Sequence, residues 1–167
     1  TNIADLLEAA KALSARGMAP KMMIGHSLGG AAVLGAARQI DSVRAVVTIG
    51  APFDPSHVTH NFGGALAAID AEGVSEVMLG GRPVRIGKNF VENVKAERLE
   101  NEIANLGRAL LILHAPRDNT VGIENASAIF RTAKHPKSFV TLDNADHLVT
   151  DPADAEYAAE LIAAWAA

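Results

Sequence analysis

One serine, one aspartate and one histidine in this chain have the types and spacing that suit nucleophilic chemistry on a carbonyl. Ser27 lies in Gly25-His26-Ser27-Leu28-Gly29, a Gly-x-Ser-x-Gly pattern that follows the apolar run Met22-Met23-Ile24 and precedes the small residues Gly30, Ala31 and Ala32. A strand that turns sharply into a helix at a serine exposes the hydroxyl, and the flanking glycines leave room for a tight turn. The free N–H groups and positive dipole end of the helix would then face the serine oxygen, which suits a reaction that develops negative charge there. A serine hydroxyl is a weak nucleophile unless a base takes its proton, and that base needs a third group to hold its tautomer. The chain offers both in the order serine, acid, histidine. Asp118 follows the apolar run Leu110-Leu111-Ile112-Leu113-His114, and His147 follows the next one, Phe139-Val140-Thr141-Leu142. Leu28, the residue after the serine, would give its backbone N–H to the oxyanion.

These residues need elements to position them. Apolar residues at Ile3, Leu6, Leu7, Ala10 and Leu13 have helical spacing and predict a helix over 2–16, with Asn2 as its cap and Gly17 as its end. Short β-branched or apolar runs predict strands over 22–24, 43–49, 109–114 and 138–142. Helices are predicted over 30–40, 123–133 and 154–166. Short apolar strands alternating with helices imply an α/β fold: a parallel sheet of about four strands covered by helices on both faces. The stretch between the second and third strands breaks this alternation. It is expected to hold a helix over 55–72, a hairpin turning at Gly80-Gly81 and a helix over 89–106. Residues 53–106 are therefore expected to form a cap inserted into a core made of 1–52 and 107–167. A packed decoration of the sheet edge is the plainer reading of the same segment.

Composition excludes several classes. At 167 residues the chain is long enough for one domain with a real core, and its 49% apolar and 20% charged residues are those of a globular protein. A formal net charge of −4 provides no electrostatic footprint for nucleic acid or an anionic membrane. With no cysteine, disulfides, thiol catalysis and thiolate metal sites are excluded within these residues. No apolar run reaches the length of a membrane span and no signal peptide opens the chain, so a cytoplasmic location is expected.

Each candidate has a competitor. Ser27 could be an ordinary helix cap, and Asp143 and Asp146 could be the acid instead of Asp118. All three aspartates also suit turns. Asp118 is preferred because it follows the preceding strand, whereas Asp146 adjoins His147 and would point elsewhere. His114 lies inside a strand and reads as a core histidine. His135 sits in a polar turn, and His26 should point away from the nucleophile and pack or hydrogen-bond behind it. His57 and His60, with Asp54 nearby, have a His-x-x-His spacing but no third ligand, so no metal is expected. Gly80-Gly81 precedes no helix N-terminus and reads as a turn rather than a phosphate cradle. Residues 95–102 read as a solvated helix face.

Gly25 to Gly30, the Pro-Arg-Asp118-Asn-Thr-Val stretch and the Ala-Asp-His147 ending resemble the α/β-hydrolase superfamily. Three longer phrases are similar to the hydrolase domain of proteins in which an α/β-hydrolase is fused to an OsmC-like domain. They are Ile49-Gly50-Ala51-Pro52-Phe53-Asp54-Pro55, Val121-Gly122-Ile123-Glu124-Asn125-Ala126 and Ala133-Lys134-His135-Pro136-Lys137-Ser138-Phe139. The resemblance implies Ser27 as nucleophile, Asp118 as acid and His147 as base. The thiol peroxidase chemistry associated with the OsmC-like half has no cysteine here to carry it. In that superfamily several strands usually precede the nucleophile strand and a loop among them donates a second oxyanion N–H. Here the serine is residue 27, so either a fragment or a reduced hydrolase is expected, and Thr1 reads as a boundary. A shortened sheet would leave the strand over 22–24 with an open edge, from which a dimer or higher oligomer is expected.

The expected activity is that of a carboxylesterase-type serine hydrolase acting on small, short-acyl esters, without cofactor, nucleic acid or membrane partner. The alternatives are a non-catalytic fragment or interaction module of a larger fused protein, and an amide or acyl-peptide hydrolase using the same residues.

Overall fold

The computed structural model describes residues 2–56, 65–79, 82–88 and 99–167. In chain order these form α1 (Asn2–Ala15), β1 (Met22–His26), α2 (Leu28–Ala36) with a 3₁₀ turn at Ala37–Gln39, and β2 (Ala45–Ile49). There follow α3 (Ala65–Glu72), β3 (Val74–Leu79), β4 (Arg82–Gly87), α4 (Glu100–Ala104), β5 (Ala109–His114), α5 (Glu124–Thr132), β6 (Lys137–Thr141) and α6 (Pro152–Ala166).

β1, β2, β5 and β6 lie side by side in that order, every pair parallel. The two central strands, Ala-Val-Val-Thr-Ile and Ala-Leu-Leu-Ile-Leu-His, are apolar almost throughout because both of their faces are covered. On one face Val46, Leu110 and Ile112 pack with Leu34 and Val33 of α2, Ile103 of α4 and Ile129 of α5, and Ile3, Leu6 and Leu7 of α1 pack against the same cluster. On the other, Val47, Leu111 and Leu113 pack with Ala158, Leu161, Ile162 and Trp165 of α6. The expected α/β architecture, a four-stranded parallel sheet with helices on both faces, is the one observed.

Among the described helices, α6 is the one that covers the second face. Ile24 pairs with Val47 and shares that face, yet it is 52% exposed at the outer strand β1. Among the described residues no strand pairs with the outer edge of β1.

The termini of the helices follow local chemistry. α1 ends in a Schellman arrangement, with Gly17 at φ 75°, its N–H on Ser14 O and Met18 N–H on Leu13 O. Asn2 lies within α1 rather than ahead of it as a cap. The second helix begins at Leu28, two residues before its expected start, and tightens into the 3₁₀ turn before Ile40. α6 begins at Pro152, capped by Asp151, whose side chain accepts from Ala153 N–H. The Asp-Pro pair is a start signal that the apolar periodicity after residue 154 hides.

Between β2 and β5, β3 and β4 pair antiparallel from Val74↔Gly87 to Leu79↔Arg82, the expected hairpin. Its turn at Gly80-Gly81 lies outside the described residues. So do 57–64 of the helix expected over 55–72 and 89–98 of the helix expected over 89–106. α3 and α4 are what is described of those two helices. His57, His60 and the 95–98 part of the charged helix face also lie outside.

Candidate active site

The turn from β1 into α2 puts Ser27 at φ 52°, ψ −126°, a backbone state that an L-residue adopts only when its surroundings hold it there. Ser27 N–H donates to Ile49 O at 2.8 Å, which ties the turn to the end of β2. Although Ser27 flanks α2, its side chain makes no capping hydrogen bond. That removes the plain cap as an account of this serine.

Space at the turn comes from two glycines, and they are not the symmetric pair that the pattern suggests. A Cβ on Gly25 would sit 2.3 Å from Gly29 O, and one on Gly30 would sit 2.5 Å from the Ala51 side chain. A Cβ on Gly29 would meet nothing within 4 Å. Gly25→Ala and Gly30→Ala should therefore lower stability by about 1–3 kcal/mol or more, since backbone and β2–α3 loop atoms must move. Gly29→Ala in the first turn of α2 should leave stability unchanged or raise it by up to about 1 kcal/mol. Denaturant midpoints of the three variants check this, and a Gly29→Ala loss as large as that of Gly25→Ala would contradict the geometry.

Asp118 lies on the loop past the carboxyl end of β5 and His147 on the loop past β6, both at the same end of the sheet as Ser27. The three side chains meet. Asp118 Oδ2 is 2.6 Å from His147 Nδ1, and His147 Nε2 is 3.1 Å from Ser27 Oγ. A carboxylate only accepts, so Nδ1 carries the proton and donates its hydrogen bond to Asp118, which leaves Nε2 to accept from the serine hydroxyl. Oδ1 of the same carboxylate accepts from Thr120 N–H at 2.8 Å and Val121 N–H at 2.9 Å. Asp118 is 7% exposed. Burial pushes its carboxyl up, but the His147 hydrogen bond, the two backbone N–H groups and the His147 charge outweigh it. The group lies below the ordinary value of 3.8.

The competing carboxylates go elsewhere. Asp146 is exposed and accepts from the Thr150 side chain and N–H, which lowers its pKa. Asp143 is exposed, and so is His135. His114 is buried at the end of β5, and His26 is exposed.

Two further contacts hold the site, and the second of them had no signal in the sequence. His26 Nε2 lies 2.6 Å from His147 O, so the residue before Ser27 ties β1 to the loop of His147. Gly50, at φ 56°, runs beneath the Asp118–His147 pair, and a Cβ there would come within 3.4 Å of both Asp118 Oδ2 and His147 Nδ1. A cleft of about 200 Å³ opens beside His147, lined by Arg117, Asn119, Thr120, Asp146 and Leu148. Among the described residues no group of three His, Asp or Glu side chains could hold a metal ion.

This is the fold of an α/β-hydrolase. No family model matches the sequence, and among curated proteins none matches it. Solved structures do. The esterase domain of a Rhodothermus marinus protein is 49% identical over 99% of this chain, with a TM-score of 0.87, and the chain spans 68% of that domain. A monoacylglycerol lipase from Paleococcus ferrophilus shares the fold at 18% identity and a TM-score of 0.75 over 99% of this chain and 75% of its own. An Agrobacterium vitis protein described as a hydrolase does so at 19% identity and 0.72, with 94% and 65% covered. The chain thus corresponds to about two-thirds of the length of these proteins. It belongs to the α/β-hydrolase superfamily and is a carboxylesterase-type hydrolase.

Proposed function

We propose that the chain hydrolyses small carboxylic esters through an acyl-enzyme, with Ser27 as nucleophile, His147 as base and Asp118 as the acid that orients it. The observation that carries this reading is the continuous hydrogen-bonded relay from Asp118 Oδ2 through the His147 ring to Ser27 Oγ. Its position on the esterase domain's fold supports the choice of an ester as substrate.

His147 Nε2 takes the Ser27 proton as Oγ attacks the ester carbonyl carbon. The carbonyl oxygen gathers negative charge at the start of α2. Leu28 opens that helix, so its N–H has no carbonyl one turn back and can donate to the oxyanion. Collapse breaks the carbon–alkoxy bond, and the imidazolium returns its proton to the departing alcohol. Water then attacks the acyl-serine carbonyl and loses a proton to His147. The carboxylic acid leaves and Ser27 regains its hydrogen.

Few aromatic residues, 4% of the chain, are available to line a large pocket, which favours short acyl or alcohol groups. Residues 53–106, inserted between β2 and β5, are the cap in this reading, with 1–52 and 107–167 the hydrolase core. The test is hydrolysis of p-nitrophenyl acetate and butyrate, with covalent capture by a fluorophosphonate probe. A folded chain that neither turns over the esters nor takes up the probe would be a non-catalytic module. Turnover of p-nitroanilides ahead of the esters would favour the amide reading.

Three finer expectations belong here. The three phrases shared with α/β-hydrolase/OsmC fusions support a parent polypeptide with an OsmC-like domain; a parent gene lacking one removes this. No described helix is long and apolar enough to cross a membrane, in keeping with a cytoplasmic site of action that cell fractionation would check. The edge of β1, unpaired among the described residues, and the exposed Ile24 beside it support association with a second copy of the chain. Light scattering at micromolar concentration should give a dimer or larger, and a monomer would end that idea.

A further inference from the structure

His114 is buried, titratable and adjacent to the site, yet the proposed reaction leaves it without work. It is the last residue of β5 and is 1% exposed. Its Nε2 lies 2.8 Å from Val121 O. A carbonyl only accepts, so Nε2 carries the proton and donates it. Nδ1 is buried without a hydrogen-bond partner among the described residues. A proton there would be a buried donor with nothing to receive it, so the Nε2–H tautomer is the one that fits.

We infer that His114 is a positioning residue for Asp118, which closes the loop over 115–121 by holding Val121 in place. Val121 is the hinge of this arrangement. Its C=O accepts from His114, while its N–H donates to Asp118 Oδ1 at 2.9 Å. At the near end of the loop Asp118 N–H donates to Ala115 O at 3.1 Å. The carboxylate is thus set from both sides, with Oδ1 on the backbone and Oδ2 left for His147. His114 Nε2 is itself 3.7 Å from Oδ2, beyond hydrogen-bond reach, whereas His147 Nδ1 is at 2.6 Å. The two imidazoles therefore do not compete for one oxygen. His114 acts through Val121, and of the two imidazoles it is His147 that bonds the carboxylate directly.

Loss of the His114 hydrogen bond leaves the buried Val121 carbonyl unpaired and frees the loop to shift. A displacement of about 1 Å in a catalytic constellation costs on the order of 10²-fold in rate. The inference rests on the proposed roles of Asp118, His147 and Ser27, so its test carries a readout besides turnover.

A proton held in the 2.6 Å hydrogen bond between His147 Nδ1 and Asp118 Oδ2 should give a low-field signal in proton NMR. That signal is followed with ester kinetics in the wild-type chain, His114→Gln, His114→Asn and His114→Leu. A glutamine amide reaches the position of Nε2 and can donate to Val121 O, whereas asparagine is too short and leucine has no donor. His114→Leu and His114→Asn should lose or broaden the signal and lower kcat about 10–100-fold, with KM within about twofold. His114→Gln should restore the signal and bring kcat to within about threefold of wild type.

Wild-type signal and kcat in the leucine and asparagine variants would overturn the inference. So would a glutamine variant as impaired as leucine. If leucine fails to fold, the glutamine–asparagine pair makes the same contrast. An inactive wild type that shows the expected NMR pattern removes the esterase reading and keeps the positioning role; an active wild type without that pattern does the reverse.

Discussion

Ser27→Ala should lower kcat on p-nitrophenyl esters by about 10⁴–10⁶-fold, with little change in KM or in thermal stability. The size follows from the mechanism. Without Oγ there is no acyl-enzyme, and what remains is attack by water in a site that still offers the Leu28 N–H and a base. The fold should tolerate the change, because Ser27 Oγ makes no capping hydrogen bond to α2 and alanine keeps the N–H that donates to Ile49 O. The strained φ of 52° is no worse for alanine than for serine. A variant that hydrolyses esters as fast as the wild type would sink the mechanism outright. A variant that loses the fold as well would show that the His147–Ser27 contact is structural.

Asp118→Asn should lower kcat by about 10⁴-fold, and through geometry as much as charge. An asparagine can keep its oxygen on Thr120 and Val121 N–H, where Oδ1 now sits. Its NH₂ then faces His147 Nδ1 and donates, so that nitrogen must accept. The proton moves to Nε2, which points at Ser27 Oγ and can no longer take a proton from it. The ring remains in place in the wrong tautomer.

The same substitution carries a pH signature. The Asp118 pKa is lowered in the folded chain, so its carboxylate adds stability above the ordinary value of 3.8, where it is ionised in both states. That stability is lost as pH falls through the lowered folded value. The gap in urea midpoint between wild type and Asp118→Asn should be widest near neutral pH and shrink below pH 3.8. A gap that stays constant into that acid range would mean that the Asp118 pKa is not lowered by folding.

Much of the fold is legible in the order of residues. Val-Val-Thr-Ile and Leu-Leu-Ile-Leu lack the polar alternation of a half-solvated strand, and a run apolar on both faces can be satisfied only inside a sheet covered on both sides. Asp118 and His147 each follow such a run, and parallel strands bring their following loops to one end. Less legible were helix starts set by a single residue, such as Asp151 ahead of Pro152, because capping is one hydrogen bond beside a longer periodic signal.

The sequence by itself determined the alternation of strands and helices, the tight turn at Ser27 and the order serine, aspartate, histidine, because each rests on neighbours within a few residues. Only the tertiary structure decided that Asp118 rather than Asp146 reaches His147, that Gly30 rather than Gly29 makes room for the turn, and that Gly50 lies under the hydrogen-bonded Asp118–His147 pair. It also set His26 against the His147 carbonyl and left Ile24 uncovered at the edge. Those contacts join residues far apart in the chain, and the register of β1, β2, β5 and β6 fixes which of them meet.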